Sequence, residues 1–135
     1  MPNQIEQIKE WQSSRKLDKM PYNHENESIN ILEEVFESDG YNSEFARDFA
    51  NEVTAEYKLY GLDSTPEQHI DAYFDICVYA IGAMMKLGFD PVKVFDEGLR
   101  EINDRTGEYD ETVGKWVKNK TKENPYKADY SKARL

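Results

Sequence analysis

Two groups of carboxylates stand out as residues that could do chemistry. The segment Glu33-Glu34-Val35-Phe36-Glu37 sets Glu34 and Glu37 three apart and Glu33 and Glu37 four apart, and both spacings put side chains on one face of a helix. Asp71 and Asp75, also four apart, are the formal charges between His69 and Lys86, in a run otherwise made of residues such as Ile70, Phe74, Ile76, Val78, Ile81 and Met84. A helix apolar nearly all round is usually buried, and two unpaired carboxylates in a core would cost several kcal/mol. Such a pair needs cations. No Lys or Arg lies near it in sequence, so the partner is either a set of basic residues from elsewhere or a divalent ion shared with the other acidic group. Two helices offering two carboxylates each make an all-oxygen site, and hard oxygen ligands favour Mg²⁺ or Mn²⁺ over zinc. The plainer alternatives are a solvated acidic face for the glutamates and exposed positions on a half-buried helix for the aspartates.

The elements that must position these groups are helical. Pro2 opens a first helix with Ile5, Ile8 and Trp11 spaced three apart, fading near Lys16, and a polar stretch from Asp18 to Glu27 follows. The second helix spans about Glu27 to Glu37, with Ile29, Leu32, Val35 and Phe36 as its apolar stripe, and Gly40 ends it. Asn42 or Ser43 can cap a third, whose Phe45, Ala46, Phe49, Ala50, Val53, Tyr57 and Tyr60 repeat at helical spacing until Gly61. Thr65-Pro66-Glu67-Gln68 is a cap, a first-turn proline and a capping box, starting a fourth helix that should reach Leu87 with Gly88 as its left-handed stop. Asp90-Pro91 repeats that signal for a fifth, through Val94, Phe95, Leu99 and Ile102. No strand alternation of useful length and no repeat is visible, so the expected class is an all-α bundle with an extended C-terminal arm, one domain over 1–135 with its core at about 27–104.

Charge narrows the partners. The net charge is −10, which argues against a nucleic-acid polymer, whose affinity comes from Lys and Arg on phosphates. Residues 115–135 nevertheless hold seven basic residues against two acids. An acidic body with a basic tail suits a metal plus a small polyanion. The longest apolar stretch, Ile76 to Met85, is far short of the roughly 20 residues that cross a bilayer, and the charged first residues lack a secretory pattern, so a cytoplasmic protein away from membranes is expected. The lone Cys77 lies in apolar sequence and reads as a packing thiol in a reducing compartment. His24 and His69 look too isolated for a metal or catalytic role.

Ile31-Leu32-Glu33-Glu34-Val35-Phe36-Glu37 resembles the EExxE element of MazG-like, all-α NTP pyrophosphohydrolases, the group that includes phosphoribosyl-ATP pyrophosphohydrolase-like proteins, and Asp71 to Ala83 resembles their second acidic helix. Lys86-Leu87-Gly88-Phe89-Asp90-Pro91 and the arm segments Glu101 to Gly107, Val113 to Lys118 and Tyr126 to Lys132 extend the likeness, which covers roughly 29–132. Two features depart from the pattern. The family's second motif is usually ExxD, whereas Ala72 stands at the expected Glu position, and the helix of Phe45–Tyr60 separates the two acidic motifs more widely.

The resemblance implies a bundle in which the acidic helices pack together, with active sites commonly completed by formation of a homodimer or homotetramer. It implies Mg²⁺ (or Mn²⁺) ligation by Glu34, Glu37, Asp71 and Asp75, Glu33 as the group that orients or deprotonates a water, and hydrolysis of an NTP or dNTP to monophosphate and pyrophosphate. Arg105, Lys115, Lys118 and Lys127 in the arm are candidates to bind substrate phosphates, and Asn103 to bond a phosphate or sugar, each with a solvated surface role as the alternative. Trp116, Tyr126 and Tyr130 could stack on a base or pin the arm to the body. The competing classes are a non-catalytic helical interaction module and a related enzyme specific for dUTP, dCTP or phosphoribosyl-ATP.

Overall fold

Each helix begins where a side chain can satisfy its free amides. In the computed structural model, which describes residues 2–58, 61, 63–105, 107–112, 115–118 and 125–135, Thr65 Oγ1 accepts from the Gln68 amide while Gln68 Oε1 accepts from the Thr65 amide. That closes the capping box the sequence predicts. Asn3 and Glu6 form a second such box, which the sequence reading overlooked. Asn23, Asn42 and Asp90 accept from amides at the starts of three further helices. At the stops, Gly40 and Gly88 have φ of 97° and 95°, a left-handed region that a β-carbon disfavours.

The helices are α1 (Gln4–Ser14), α2 (His24–Ser38), α3 (Ser43–Lys58), α4 (Pro66–Lys86) and α5 (Pro91–Asn103). The chain is thus mostly helical, with a small two-stranded sheet. Helix α2 starts three residues before the expected Glu27 because Asn23 caps it. Tyr60, assigned by spacing to α3, and Thr106, Val113 and Gly114 of the arm lie outside the described residues.

Helices α2 and α3 form an antiparallel pair. Ala46, Ala50 and Thr54, four apart along α3, are fully or almost fully buried, and such small side chains let two helices approach closely. Phe36 and Tyr41 both meet the Phe49 ring edge-on, at 6.0 and 5.1 Å. Lys58 closes the far end on Glu25 at 2.7 Å. Helix α1 runs beside α5: Gln4 donates to the Val92 carbonyl and to Asp96 near one end, and Trp11 Nε1 donates to the Ile102 carbonyl near the other.

Beyond α5 the expectation of a plain extended arm needs correction. Strands β1 (Gly107–Asp110) and β2 (Lys115–Lys118) pair antiparallel, Gly107 opposite Lys118 and Tyr109 opposite Trp116. A β-carbon on Gly107 would sit 2.2 Å from the Val117 carbonyl oxygen and 2.6 Å from the Trp116 ring, so this pairing requires glycine. Four residues per strand, largely polar, offered no alternation to read.

The returning segment lies along α5. The Tyr126 hydroxyl donates to Glu97 at 2.6 Å, the Asp129 amide donates to the same carboxylate at 3.3 Å, and Lys132 Nζ is 3.5 Å away. Arg100 stacks over the Tyr126 ring at 3.9 Å. Glu101 accepts from the Ala128 amide, Ala133 is fully buried, and the Leu135 amide reaches the Gly88 carbonyl. Tyr126 therefore pins the arm. The Tyr126 hydroxyl bond, then the Asp129 amide and Lys132, hold the Glu97 carboxyl below the usual carboxylate range. A depressed carboxylate contributes stability above its unfolded pKa, near 4.3, that is lost as pH falls through its lower folded value. Acidification below about pH 4.3 is accordingly expected to loosen residues 125–135, with the loss complete only below the lowered value in the folded chain. Amide exchange of Ala128 and Asp129, followed against pH, checks this, and in Glu97→Gln their protection should already be low at neutral pH.

The main departure from expectation is α4. Its apolar composition predicts burial, yet none of its residues is buried in the single chain. Ile70, Phe74, Tyr79 and Met85 are 68, 65, 79 and 58% exposed, Asp71 and Asp75 face solvent, and Cys77 is exposed rather than packed. Among the described residues no helix is long and apolar enough to cross a membrane. The buried apolar residues described are few: Ile29, Ala46, Ala50, Leu99 and Ala133. A chain of this length ordinarily buries more.

Candidate functional site

Glu33 faces inward from α2, 3% exposed, and both its oxygens are engaged. Lys115 Nζ donates to them at 2.8 and 2.9 Å, and Arg47 Nη1 donates to Oε2 at 3.1 Å. Arg47 Nη1 also donates to Asn30 Oδ1 at 2.7 Å. Helices α2 and α3 and strand β2 thus meet at one carboxylate, and β2 is held over the α2 face by its first residue. Removing one partner of a buried pair typically costs about 3–5 kcal/mol. The Lys115 side chain is 34% exposed, so Glu33→Gln is expected to cost less, about 2–3 kcal/mol. Urea unfolding measures it, and an unchanged midpoint would contradict a structural role for the pair.

Glu34, the next residue, and Glu37, one turn on, border a recess of about 960 Å³ together with Glu33, Arg105, Lys115, Trp116 and Lys118. Partial burial first, then the charges of Glu37 and Glu33, push the Glu34 carboxyl up, while Lys115 and Arg105 pull it the other way. Like-charged carboxylates crowded in this manner favour a proton or a metal ion between them. Arg105 is shared, since it pairs with Glu101 at 2.5 Å.

The predicted site residues therefore divide. Glu33, Glu34, Glu37, Arg105, Lys115 and Lys118 come together around one recess. Asp71 and Asp75 do not join them: Asp71 borders a separate shallow cavity with Pro66, Glu67, Ile70 and Phe74. Met84, also on α4, lines the acidic recess, but Asp75 lies nine residues earlier, about 13 Å along the helix axis. Among the described residues of one chain, no group of three or more acidic, His or Cys side chains is placed to hold a metal ion. Asn103 lies at another small cavity, beside Arg100, Asp104 and Tyr126, and Lys127 is exposed along the arm.

Sequence reasoning missed Arg47, whose only signal was a lone cation beside the apolar Ala46. It also treated His24 and His69 as isolated, which the structure corrects. Their rings stack at 3.9 Å, and the Tyr22 hydroxyl lies 3.0 and 2.9 Å from their Nδ1 atoms and 2.6 Å from the Tyr73 hydroxyl. The cluster ties the first turn of α2 to the start of α4. Burial and then the neighbouring His69 hold the His24 pKa down. Comparison with protein-family models, curated proteins and solved structures found no match.

Proposed function

We propose that this protein is a Mg²⁺-dependent nucleoside triphosphate pyrophosphohydrolase of MazG-like fold, working as a homodimer or higher homo-oligomer. The observation that carries the reading is the recess in which Glu34 and Glu37 face Arg105, Lys115 and Lys118, carboxylates for a hard cation beside cations for phosphate oxygens. Glu34 and Glu37 fit Mg²⁺ by donor type, and the mutual repulsion acting on Glu34 is what a bound cation would relieve. A bound ion there would neutralise charge developing on the phosphates and lower the pKa of the attacking water.

This chain's residues account for the rest of the reaction. Lys115, Lys118 and Arg105 hold the phosphates. Water attacks the α-phosphorus, the α–β bridging bond breaks, and pyrophosphate leaves with the bonding electron pair. Glu33 is the candidate acceptor for the water's proton, a role open to it once substrate phosphate draws Lys115 away from its carboxylate.

Oligomerisation supplies what one chain lacks. Eight large apolar residues between Ile70 and Leu87 are exposed, more than a free surface normally carries. Together they offer an area on the order of the 800 Å² per partner found in stable interfaces. Asp71 and Asp75 lie on this same helix, so a second copy packed along α4 is proposed to bring them to Glu34 and Glu37 of its neighbour.

The exposed α4 face also favours a second reading, a non-catalytic module that binds a partner helix. Incubation with a panel of NTPs and dNTPs plus Mg²⁺, with products separated by chromatography, decides between the two. Pyrophosphate and monophosphate are expected from at least one substrate, and intact nucleotides throughout would sink the enzyme reading.

A further inference from the structure

We propose that a second recess, beside the acidic one, is the subsite for the nucleobase, with Asn26 and Asn30 reading the base edge. This rests on the nucleotide reading above. The recess has a volume of about 370 Å³ and is walled by Trp11, Tyr22, Tyr109 and Trp116, with Asn26 and Asn30 on its α2 side. It shares Trp11, Lys115 and Trp116 with the acidic recess, so one ligand can occupy both.

Its chemistry suits a flat, neutral, hydrogen-bonding group. Aromatic faces stack on bases, and carboxamides bond their edges. The walls are already fixed: Trp11 Nε1 is bonded to the Ile102 carbonyl, and the two indoles meet edge to face at 5.3 Å. The Arg15 guanidinium already covers one face of Trp11 at 4.5 Å, so a base would stack on the other aromatic walls of the recess. Asn30 Oδ1 is occupied by Arg47, which leaves its amide hydrogens to donate. No described residue bonds the Asn26 carboxamide. A phosphate would fare badly here, because Asp18 and Glu27 also line the recess and Lys115 is the cation among its lining residues.

The order along α2 fixes the direction of the ligand. Asn26 and Asn30 precede Glu34 and Glu37 by four to eleven residues, roughly 6–16 Å of helix. The base would lie toward the amino-terminal half of α2 and the phosphates toward the carboxylates. Most of this subsite comes from residues ahead of Ile29, before the stretch that resembles the pyrophosphohydrolases.

The chain has two tryptophans, and both line the recess, so their fluorescence reports directly on its occupancy. Adenosine, guanosine, cytidine, uridine and thymidine, none carrying phosphate, would be titrated without Mg²⁺, with pyrophosphate as the contrasting probe. At least one nucleoside should give a saturable change in emission. Asn26→Ala should weaken that binding about fivefold, the loss typical of one neutral hydrogen bond, while its circular dichroism and its response to pyrophosphate stay as in the wild type. Tyr22→Ala, at an exposed ring, should weaken it as well. Emission indifferent to all five nucleosides at millimolar concentration, or equal binding by wild type and both variants, would overturn the subsite. Nucleoside binding without hydrolysis of any triphosphate would leave the subsite standing and remove the enzyme reading. Hydrolysis with KM unchanged in Asn26→Ala would do the reverse.

Discussion

Asp75→Asn is expected to lower turnover by more than the ~10–100-fold that outer-shell partners of a metal typically carry, and to abolish the rise in melting temperature that Mg²⁺ gives the wild type. At a hundredfold excess over its Kd, an ion bound to the folded state alone adds about 2.7 kcal/mol, on the order of 10 °C for a chain of this size. Asp75 is exposed in the single chain, so without metal the variant should melt close to the wild type. The informative form of the experiment mixes Asp75→Asn with Glu37→Gln subunits, each inactive alone. If α4 serves the neighbouring copy, half of the pairs are mixed and each mixed pair has one intact site, so activity returns to about a quarter of wild type. Mixtures as inactive as the separate variants would place all four carboxylates in one chain. Asp75→Asn that hydrolyses nucleotides normally would remove Asp75 from the site altogether.

The second large effect is expected at Phe74. Phe74→Glu puts a charge in the middle of the α4 face, where desolvating it would cost several kcal/mol. Light scattering should report a single chain, with turnover lost and the helical circular dichroism largely kept. A wild type that already scatters as a monomer at micromolar concentration would refute the assembly, and a fully associated Phe74→Glu would show that another surface makes it.

How much of this was legible in the sequence depends on how local each cause is. Thr65, Gln68, Asp90 and Gly88 act within one turn of their own positions, and the corresponding helix ends fall where they were expected. The face shared by Glu33, Glu34 and Glu37 follows from spacing alone. That Glu33 would turn inward to Arg47 and Lys115, 14 and 82 residues away, does not follow from spacing, because the choice between a solvated acid and a buried one is made by another element. For the same reason the stacking of His24 on His69, 45 positions later, left no local trace. The apolar run of α4 was visible, but hydrophobicity says only that a face seeks cover and not which chain supplies it. The hairpin was hidden because its pairing rests on the close approach of Trp116 to Gly107 rather than on alternation.

The α2–α3 hairpin has a consequence for the order of events as the chain folds. Its contacts join residues near in sequence across a short turn at Asp39–Asn42, so closing it costs little chain entropy. The α1–α5 contacts span about ninety positions, and the docking of Leu135 on Gly88 spans nearly fifty. Ala46 and Ala50 therefore belong to an early nucleus, and substitutions there should slow folding. Changes at Trp11 or Tyr126 should instead act mainly by speeding unfolding, so that the Trp11 and β2 walls of the two recesses settle after the α2 side that carries Asn30, Glu33 and Glu34.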